Sequence, residues 1–262
     1  MERIIKNSFK IFGLEISKIK KPLRSKRSKK LTLHHTKTGN YYLPSDAHGD
    51  VVANTIINNQ IFEKEIVDIS SRYIKPNTIV LDVGANFGQM SILFSSFVGE
   101  KGKVHSFEAD DWIFEILNKN IEANNRVGKI IPHFGAVYNT NDETLIFPEQ
   151  DFEEFDTYGS YGIDFNAKRG REVKTITIDS LKIEEPISFM KIDVQGGDLQ
   201  AMKGAIKTIE RNRMPILFEY EYLFEYKFNL CFQEYVDFVQ SIHYKFHKVI
   251  NGQNFLILPQ KE

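Results

Sequence analysis

Apolar and polar positions along the chain form blocks that predict strands followed by helices. Short, continuous apolar runs predict buried strands, and apolar residues recurring every three or four positions predict amphipathic helices. Strands are predicted at 78–83, 103–107, 130–134, 187–192 and 215–218. Helices are predicted at 61–75, 88–97, 112–124, 199–212 and 232–242. This alternation indicates an α/β protein with a mostly parallel sheet and helices on both faces.

Two further patterns extend this sheet. Apolar runs at 245–250 and 254–258 surround Asn251-Gly252 and predict a terminal hairpin, which adds an antiparallel edge strand and gives seven strands in all. The excursion at 138–186 has strand-like segments on both sides of a Gly/Tyr-rich middle, so we predict a hairpin-like insertion. Residues 31–60 are mixed and polar, with turn signals.

Charge separates the first 30 residues from the remainder. Residues 1–30 contain 11 Lys/Arg and 2 Glu, a net charge of +9, whereas residues 31–262 carry −10. We therefore divide the chain into a basic N-terminal arm, 1–30, and a domain, 31–262. Ile4, Phe9 and Phe12 recur at roughly helical spacing, so the arm is either a flexible basic tail or an amphipathic segment that touches an anionic membrane. The acidic body argues against a specific nucleic-acid partner.

The sequence also indicates a cellular compartment. It has no apolar run of about 18 residues and no secretory signal, which predicts that nothing spans a membrane. The single Cys231 cannot form an intramolecular disulfide, and no Cys/His cluster has zinc-site spacing. We expect a cytoplasmic protein, with peripheral membrane contact through the arm as a further possibility. The oligomeric state is not predicted.

The strongest chemical signal is Val80–Gly88, where an apolar strand leads through a glycine-containing turn directly into a helix. In an open α/β sheet this turn lies at the carboxyl ends of the strands, where ligands bind. Gly84 permits a tight turn, and Gly88 lets the helix start close to a ligand. Free backbone N–H groups there are expected to take a carboxylate or a phosphate. Glu108 ends the next strand, where an acid accepts hydrogen bonds from a ribose diol.

The type of turn favours one kind of nucleoside ligand. A nicotinamide dinucleotide fingerprint needs glycines where this chain has Asn86 and Gln89, and a phosphate-binding Gly-Lys-Ser/Thr is missing. Asp82, just before the turn, suits a cationic ligand. S-adenosylmethionine carries a sulfonium and an ammonium, which carboxylates offset.

Other carboxylates follow later strands. Asp193 ends the strand at 187–192 and Glu219 ends the strand at 215–218. Asp198 starts a helix, where a capping role and a functional role are equally consistent with its position. Since the carboxyl ends of parallel strands meet at one edge of the sheet, these acids predict one ligand site.

The segments Leu81–Gly88 and Lys191–Asp198, followed by Lys203-Gly204-Ala205, resemble the FkbM family of methyltransferases, and the likeness runs over about 200 residues from Ile61 to Pro259. The family usually has Asp-Val-Glu-Gly-x-Glu at the fourth strand, so Gln195 replaces a charged residue. The resemblance implies a class I methyltransferase Rossmann-like fold, S-adenosylmethionine as cofactor and O-methylation of a sugar or glycan hydroxyl. A lipid headgroup or a protein as acceptor, and a binding protein without catalysis, are the alternatives.

These observations assign roles to individual residues. An alcohol needs a base, for which Asp193 is the first candidate, Glu219 the second and His133 the third. Tyr158, Tyr161 and Phe165 offer flat surfaces for a sugar acceptor, and an insertion that only covers a sheet edge is equally consistent with the sequence. No metal site is predicted, although Asp193, Asp198 and Glu219 offer a less favoured set of ligands for a hard cation. The predicted cofactor-binding residues are Asp82, Gly84, Ala85, Asn86, Phe87, Gly88, Glu108, Ala109, Ala136 and Asp193.

Overall fold

The structure, a computed structural model, describes residues 30–47, 49–148, 157–159, 162–164, 169–225 and 229–260. The basic arm up to residue 29, including its predicted amphipathic segment, lies outside the described residues. So do Tyr161 and Phe165.

The order of elements agrees with the predicted alternation. The strands are β1 (Leu31–Thr36), β2 (Gly39–Pro44), β3 (Ile79–Val83), β4 (Lys103–Glu108), β5 (Ile130–Phe134), β6 (Ala136–Val137), β7 (Thr144–Pro148), β8 (Gly170–Ile176), β9 (Ile187–Ile192), β10 (Ile216–Glu219), β11 (Tyr244–Ile250) and β12 (Asn254–Pro259). The α-helices are α1 (Val51–Ile57), α2 (Lys64–Ser70), α3 (Gln89–Phe97), α4 (Asp111–Ala123), α5 (Asp198–Lys203), α6 (Ile206–Asn212) and α7 (Phe232–Ser241).

Seven strands form the central sheet, in the order β11-β12-β10-β9-β3-β4-β5. The strands from β10 to β5 are parallel, and β12 pairs antiparallel with both β10 and β11. The predicted mostly parallel seven-stranded sheet is therefore confirmed. The prediction of an antiparallel edge strand was wrong, because the antiparallel β12 lies inside the sheet and the edge strand β11 runs parallel to β10.

Helices cover both faces of the sheet because successive strand residues point to opposite sides. Val80 of β3 packs with α3 and α4, where Phe94 and Ile116 are fully buried. Leu81 points the other way, into a core shared with α5, α6 and α7. β3 is buried at every position, as expected for the central strand of a parallel sheet.

Two predicted helices differ from the structure. The helix predicted at 61–75 is shorter because Glu63, just before α2, has a left-handed backbone with φ +47°. The helix predicted at 199–212 is broken between α5 and α6 at Gly204. A Cβ atom at Gly204 would lie 1.9 Å from the carbonyl oxygen of Tyr138, so the insertion presses against the chain where the helix breaks.

The polar segment at 31–60 contains regular structure that the sequence pattern did not reveal. β1 and β2 form an antiparallel hairpin, and α1 follows it. Side chains of α4 replace a neighbouring strand: Asn120 accepts the N–H of Tyr42 at 2.6 Å, and Asn124 both donates to and accepts from the backbone of Asn40. The hairpin is thereby fastened to the helix that follows Glu108.

The insertion after β5 forms its own small sheet. β7 pairs antiparallel with β8, and β6 pairs parallel with β8. The predicted hairpin is therefore present, with bounds at 144–148 and 170–176. Within the part of the chain that the structure describes, no helix has the length and apolar character needed to cross a bilayer.

Candidate functional site

The glycine turn between β3 and α3 is shaped by close contact with β9. Gly84 has φ +79°, and a Cβ atom there would lie 1.8 Å from the carbonyl oxygen of Asp193. Only glycine allows this approach without moving the backbone. Gly88 also has a positive φ of +86°, but its Cβ position faces Leu117 of α4 at 2.5 Å. Gly88 therefore serves helix packing, and the expectation that it brings the helix close to a ligand was wrong.

The N–H groups of this turn are already satisfied within the protein. Gly84 and Ala85 both donate to the carbonyl oxygen of Phe107, at 3.0 and 2.9 Å. Asn86 donates to Glu108, and the N–H of Phe87 bonds the Asn86 side chain at 2.6 Å. The prediction of free N–H groups for a carboxylate or a phosphate was wrong. The turn contributes lining residues to the neighbouring pockets and does not form an anion site.

Glu108 occupies the predicted position at the end of β4 and is held by the backbone around it. Its Oε2 accepts the N–H of Asn86 at 2.9 Å, and its Oε1 accepts the N–H groups of Ala109 and Asp110, each at 2.8 Å. Burial raises the pKa of Glu108 to about 7, although these three hydrogen bonds oppose the rise. Each carboxylate oxygen has two lone pairs, so Oε2 keeps one for a ligand hydroxyl.

A cleft of about 790 Å³, open to solvent, starts at Glu108 and runs along the sheet edge. We call it the cofactor cleft. Its apolar lining includes Phe107, Ile113, Ala136, Val137 and Phe147, and its polar lining includes Asn86, Glu108, Asp193 and Gln195. A smaller pocket, which we call the adjoining pocket, shares Gly84, Asn86 and Asp193 with the cleft and also contains Lys191.

The predicted cofactor-binding residues divide between these spaces. Those that line the cofactor cleft are Gly84, Asn86, Glu108, Ala109, Ala136 and Asp193. Ala85 and Phe87 line only the adjoining pocket. Asp82 and Gly88 line neither space. Asp82 is fully buried and bonded to the Ser91 hydroxyl, so the expectation that it meets a cationic ligand directly was wrong.

Lys191 connects Asp82 to the cleft. Its Nζ lies 3.8 Å from Asp82, 3.4 Å from Asp193 and 3.0 Å from the carbonyl oxygen of Gly84. Burial alone would lower the pKa of Lys191, but the charges of Asp193 and Asp82 raise it overall. Lys191 is therefore a permanent cation beneath the glycine turn, and it faces two carboxylates.

Asp193 and Glu219, the two predicted bases, lie side by side. The Nε2 of Gln195 donates to Asp193 Oδ1 at 3.0 Å and to Glu219 Oε2 at 3.1 Å. Burial opposes ionisation of Asp193, but Lys191 and the hydrogen bonds hold its pKa below the ordinary range. Burial and the charge of Asp193 raise the pKa of Glu219. Asp193 is therefore the more readily ionised of the two carboxyl groups, and Glu219 the more readily protonated.

The other candidates lie elsewhere. His133 does not itself line the cofactor cleft: it stacks between His105 and the cleft residue Phe107 and forms a 3.0 Å contact with His105. Asp198 is fully buried at the first turn of α5, and its Oδ1 accepts the backbone N–H of Glu219 at 3.3 Å. In the residues described, no three His, Cys, Asp or Glu side chains are arranged to hold a metal ion.

The insertion forms a wall of the cofactor cleft. Tyr158 is buried against Phe87 with ring centroids 6.2 Å apart, and a Cβ atom at Gly159 would lie 2.7 Å from the Asn86 side chain. Asp50 holds this segment, because its Oδ2 accepts both the Thr157 hydroxyl at 2.9 Å and the Tyr158 N–H at 2.7 Å. Tyr158 thus packs beside the glycine turn and lines the cofactor cleft, and its contact with the acceptor stays a prediction.

Sequence reasoning did not identify Asp50, Lys191 or the role of Gln195. Lys191 and Gln195 are each two residues from Asp193, on opposite sides along the chain, and a lysine within a fully buried strand is a signal that was available. Asp50 gave only a turn signal, and in the structure it also caps α1 by accepting the N–H of Ala53 at 2.7 Å.

The residues of the cofactor cleft suit S-adenosylmethionine. The apolar lining accommodates a flat aromatic base, Glu108 has acceptor capacity for a ribose hydroxyl, and the ionised Asp193 offsets positive charge.

Comparison with known proteins assigns the family. The model of the methyltransferase FkbM domain matches residues 82–248. A search of curated protein sequences finds no match. Among solved structures, FkbM methyltransferase from Methylobacillus flagellatus is 17% identical with a TM-score of 0.47, and the match covers 71% of this chain and 44% of that chain.

Two further solved structures are similar to a comparable degree. A putative rRNA methylase from Clostridium thermocellum has 12% identity and a TM-score of 0.47, covering 75% of this chain and 93% of that one. Fibrillarin from Aeropyrum pernix, solved with S-adenosylmethionine, has 11% identity and a TM-score of 0.43. The match covers 90% of this chain and 84% of that one. The family match spans more than half of the chain, including both the glycine turn and the Asp193 strand, so the chain belongs to the FkbM family of S-adenosylmethionine-dependent methyltransferases.

Proposed function

We propose that the protein transfers a methyl group from S-adenosylmethionine to a hydroxyl of a sugar or glycan, with Asp193 as the general base. The observation that carries this proposal is the position of Asp193. Its carboxylate lines both the cofactor cleft and the adjoining pocket, and Lys191 keeps it ionised. A hydroxyl is a weak nucleophile, and a carboxylate at this boundary supplies the base that it needs.

When bound, S-adenosylmethionine supplies an electrophilic methyl group. The chain's own residues position the reactants and manage one proton. Glu108 and the apolar lining of the cleft fix the nucleoside, and the segment around Tyr158 and Gly159 limits access of water. Asp193 takes the proton of the acceptor hydroxyl, while Lys191 retains its own. Holding two reactants in the correct orientation contributes several kcal/mol to lowering the barrier.

The electrostatics around Asp193 favour a neutral acceptor with several hydroxyl groups. Glu63, Glu219 and Glu221 lie close enough for the charge of Asp193 to raise the pKa of each. Carboxyl groups accept hydrogen bonds from sugar hydroxyls and repel phosphates and other anions. This environment supports a neutral sugar over an anionic lipid headgroup.

The test is a methyl-transfer assay with labelled S-adenosylmethionine and three panels of acceptors: neutral oligosaccharides, glycerophospholipids and unmodified proteins. We expect methyl ethers on a neutral sugar, identified by mass spectrometry, and loss of the product in Asp193→Asn. Transfer to a phospholipid or a protein alone would contradict the acceptor class. Cofactor binding with no transfer to any panel would favour a binding protein without catalysis.

We also propose that the basic arm brings the protein to an anionic membrane surface. The proposal rests on the net charge of +9 and on Ile4, Phe9 and Phe12. Each Lys or Arg near an anionic bilayer contributes about 1 kcal/mol, screened by salt. The full chain should sediment with phosphatidylserine vesicles at low salt, and a chain starting at Leu31 should not. Equal sedimentation of the two chains would contradict the proposal.

A further inference from the structure

We propose that Gln195 is a positioning residue that keeps Asp193 ionised and aimed, by bridging Asp193 and Glu219 with its side-chain amide. The inference rests on the proposed function, because it takes Asp193 as the base. It adds a specific role for a residue that never exchanges a proton itself.

Both N–H groups of the Gln195 amide are used in the bridge. A glutamine NH₂ group has two N–H donors, and here both point to carboxyl oxygens, at 3.0 and 3.1 Å. The two acceptors lie on different strands, because Asp193 follows β9 and Glu219 ends β10. The bridge therefore acts together with the direct hydrogen bond between Glu219 and Asp193 to hold the two carboxyl groups side by side.

The backbone at Gln195 shows that its position is enforced. Gln195 has a left-handed φ of +54°, a conformation that costs free energy for a residue with a side chain. The insertion packs onto it as well: a Cβ atom at Gly162 would lie 2.8 Å from the Cβ of Gln195. The carboxyl groups at the two strand ends and the contact with Gly162 of the insertion therefore both hold the Gln195 side chain in place.

Charge explains why an amide suits this place. The titratable and charged groups that interact with Asp193 are Lys191 from its own strand, Asp82 from β3, Glu219 and Glu221 from the end of β10, Asp198 from α5 and Glu63 from the turn before α2. Five of these six groups are acids. A neutral donor stabilises the ionised Asp193 through a hydrogen bond, whereas another carboxylate would repel it.

The experiment measures the titration of Asp193 in the free protein and the activity profile in parallel. Carbon-13 NMR of the carboxyl carbons gives the Asp193 titration in wild type, Gln195→Glu, Gln195→Met and Gln240→Glu. Asp193→Asn identifies the signal. Gln240 is exposed on α7, so Gln240→Glu makes the same chemical change away from the pair.

We expect the Asp193 midpoint to rise by about one pH unit or more in Gln195→Glu, by less in Gln195→Met, and to stay unchanged in Gln240→Glu. The acidic limb of kcat/KM should shift by the same amount in each variant. An unchanged Asp193 midpoint in Gln195→Glu would overturn the inference. The NMR result stands whether or not a sugar acceptor is methylated, so failure of the proposed function is recognised separately by the acceptor assay.

Discussion

Glu108 and Glu219 both end a strand at the same edge of the sheet, yet their surroundings differ. Glu108 accepts three backbone N–H groups. Two come from Ala109 and Asp110, which follow it in the chain, and one comes from Asn86 in the glycine turn. Glu219 is bonded through side chains instead, directly to Asp193 and by way of Gln195. We call the first region the backbone-held side and the second, with Lys191, the side-chain-held side.

The difference teaches how the two sides respond to charge. On the backbone-held side, fixed N–H groups stabilise a single acid whose pKa is about 7. On the side-chain-held side, each acid's ionisation depends on its neighbours, so that Asp193 is ionised and Glu219 protonated. A rigid backbone suits recognition of an unchanging nucleoside, and a coupled pair suits movement of a proton.

The largest expected effect comes from Asp193→Asn. Loss of a general base reduces turnover by about 10²–10⁴-fold. Cofactor affinity, measured by calorimetry with S-adenosylhomocysteine, should change much less. If saturating cofactor restores the full rate, Asp193 acts only in cofactor binding, and the base has to be sought at Glu219.

Lys191→Met should destabilise the fold strongly. It leaves Asp82, which is fully buried, without its nearest cation, and removing one partner from a buried ion pair costs about 3–5 kcal/mol. Urea unfolding measures this loss. The double variant Asp82→Asn with Lys191→Met should recover part of it, and purely additive losses would show that the two side chains are not coupled.

Glu108→Gln should weaken cofactor binding by about 1–3 kcal/mol, the range for a charged hydrogen bond. The amide oxygen can still accept the N–H groups of Ala109 and Asp110, so the turn keeps most of its structure. Glu108→Ala, in contrast, leaves three N–H groups without their acceptor and should also lower the free energy of unfolding. Equal cofactor affinity in wild type and Glu108→Gln would remove Glu108 from the site.

The pKa of Glu108 gives this variant a second readout. The folded pKa is about 7 and the unfolded value about 4.5, so between these pH values the folded protein retains a proton that the unfolded chain releases. Glu108 therefore lowers the free energy of unfolding as pH rises from about 4.5 to about 7, and adds no further change above that. The free energy of unfolding of wild type, relative to that of Glu108→Gln, should therefore fall between about pH 4.5 and about pH 7 and stay constant above that range.

The smallest expected effect concerns the segment that touches both sides. Gly159 meets Asn86 and Gly162 meets Gln195, and Asp50 fastens this segment to the start of α1. Asp50→Asn keeps a helix cap but removes an acceptor for the Tyr158 N–H. We expect about tenfold faster hydrogen exchange at Tyr158, equivalent to about 1.4 kcal/mol, and faster release of S-adenosylhomocysteine. Thr157→Val should give a smaller change, because the Tyr158 bond remains.

The backbone-held side was largely predictable, since its signals are local. The glycine turn and an acid about 20 residues later are read directly from the chain, and Glu108, Ala109 and Ala136 do line the cleft. The side-chain-held side was predictable only in part. The strand ends placed Asp193 and Glu219 together, but the Gln195 bridge and the Lys191 contact with Asp82 join different strands, and no local pattern encodes such pairings.

The position of Asp82 shows the same limit. A carboxylate before a glycine turn is consistent with ligand contact. Because side chains alternate between the two faces of β3, however, Asp82 lies on a face that is buried. Along a strand, neighbouring side chains point to opposite faces, and Asp82 points to the hydroxyl of Ser91 in α3, which in turn contacts Ser106. Similarly, the hairpin at 31–44 depends on asparagines of α4, far away in sequence.

The internal place of β12 has a consequence for the order in which the protein assembles during synthesis. β11 leaves the ribosome first, but in the finished sheet it pairs only with β12, which follows it. Until β12 arrives, β10 presents an unpaired strand edge, and such edges recruit other chains. Any intermediate in which the five parallel strands pair before β12 is in place exposes the edge of β10, and insertion of β12 between β10 and β11 covers that edge.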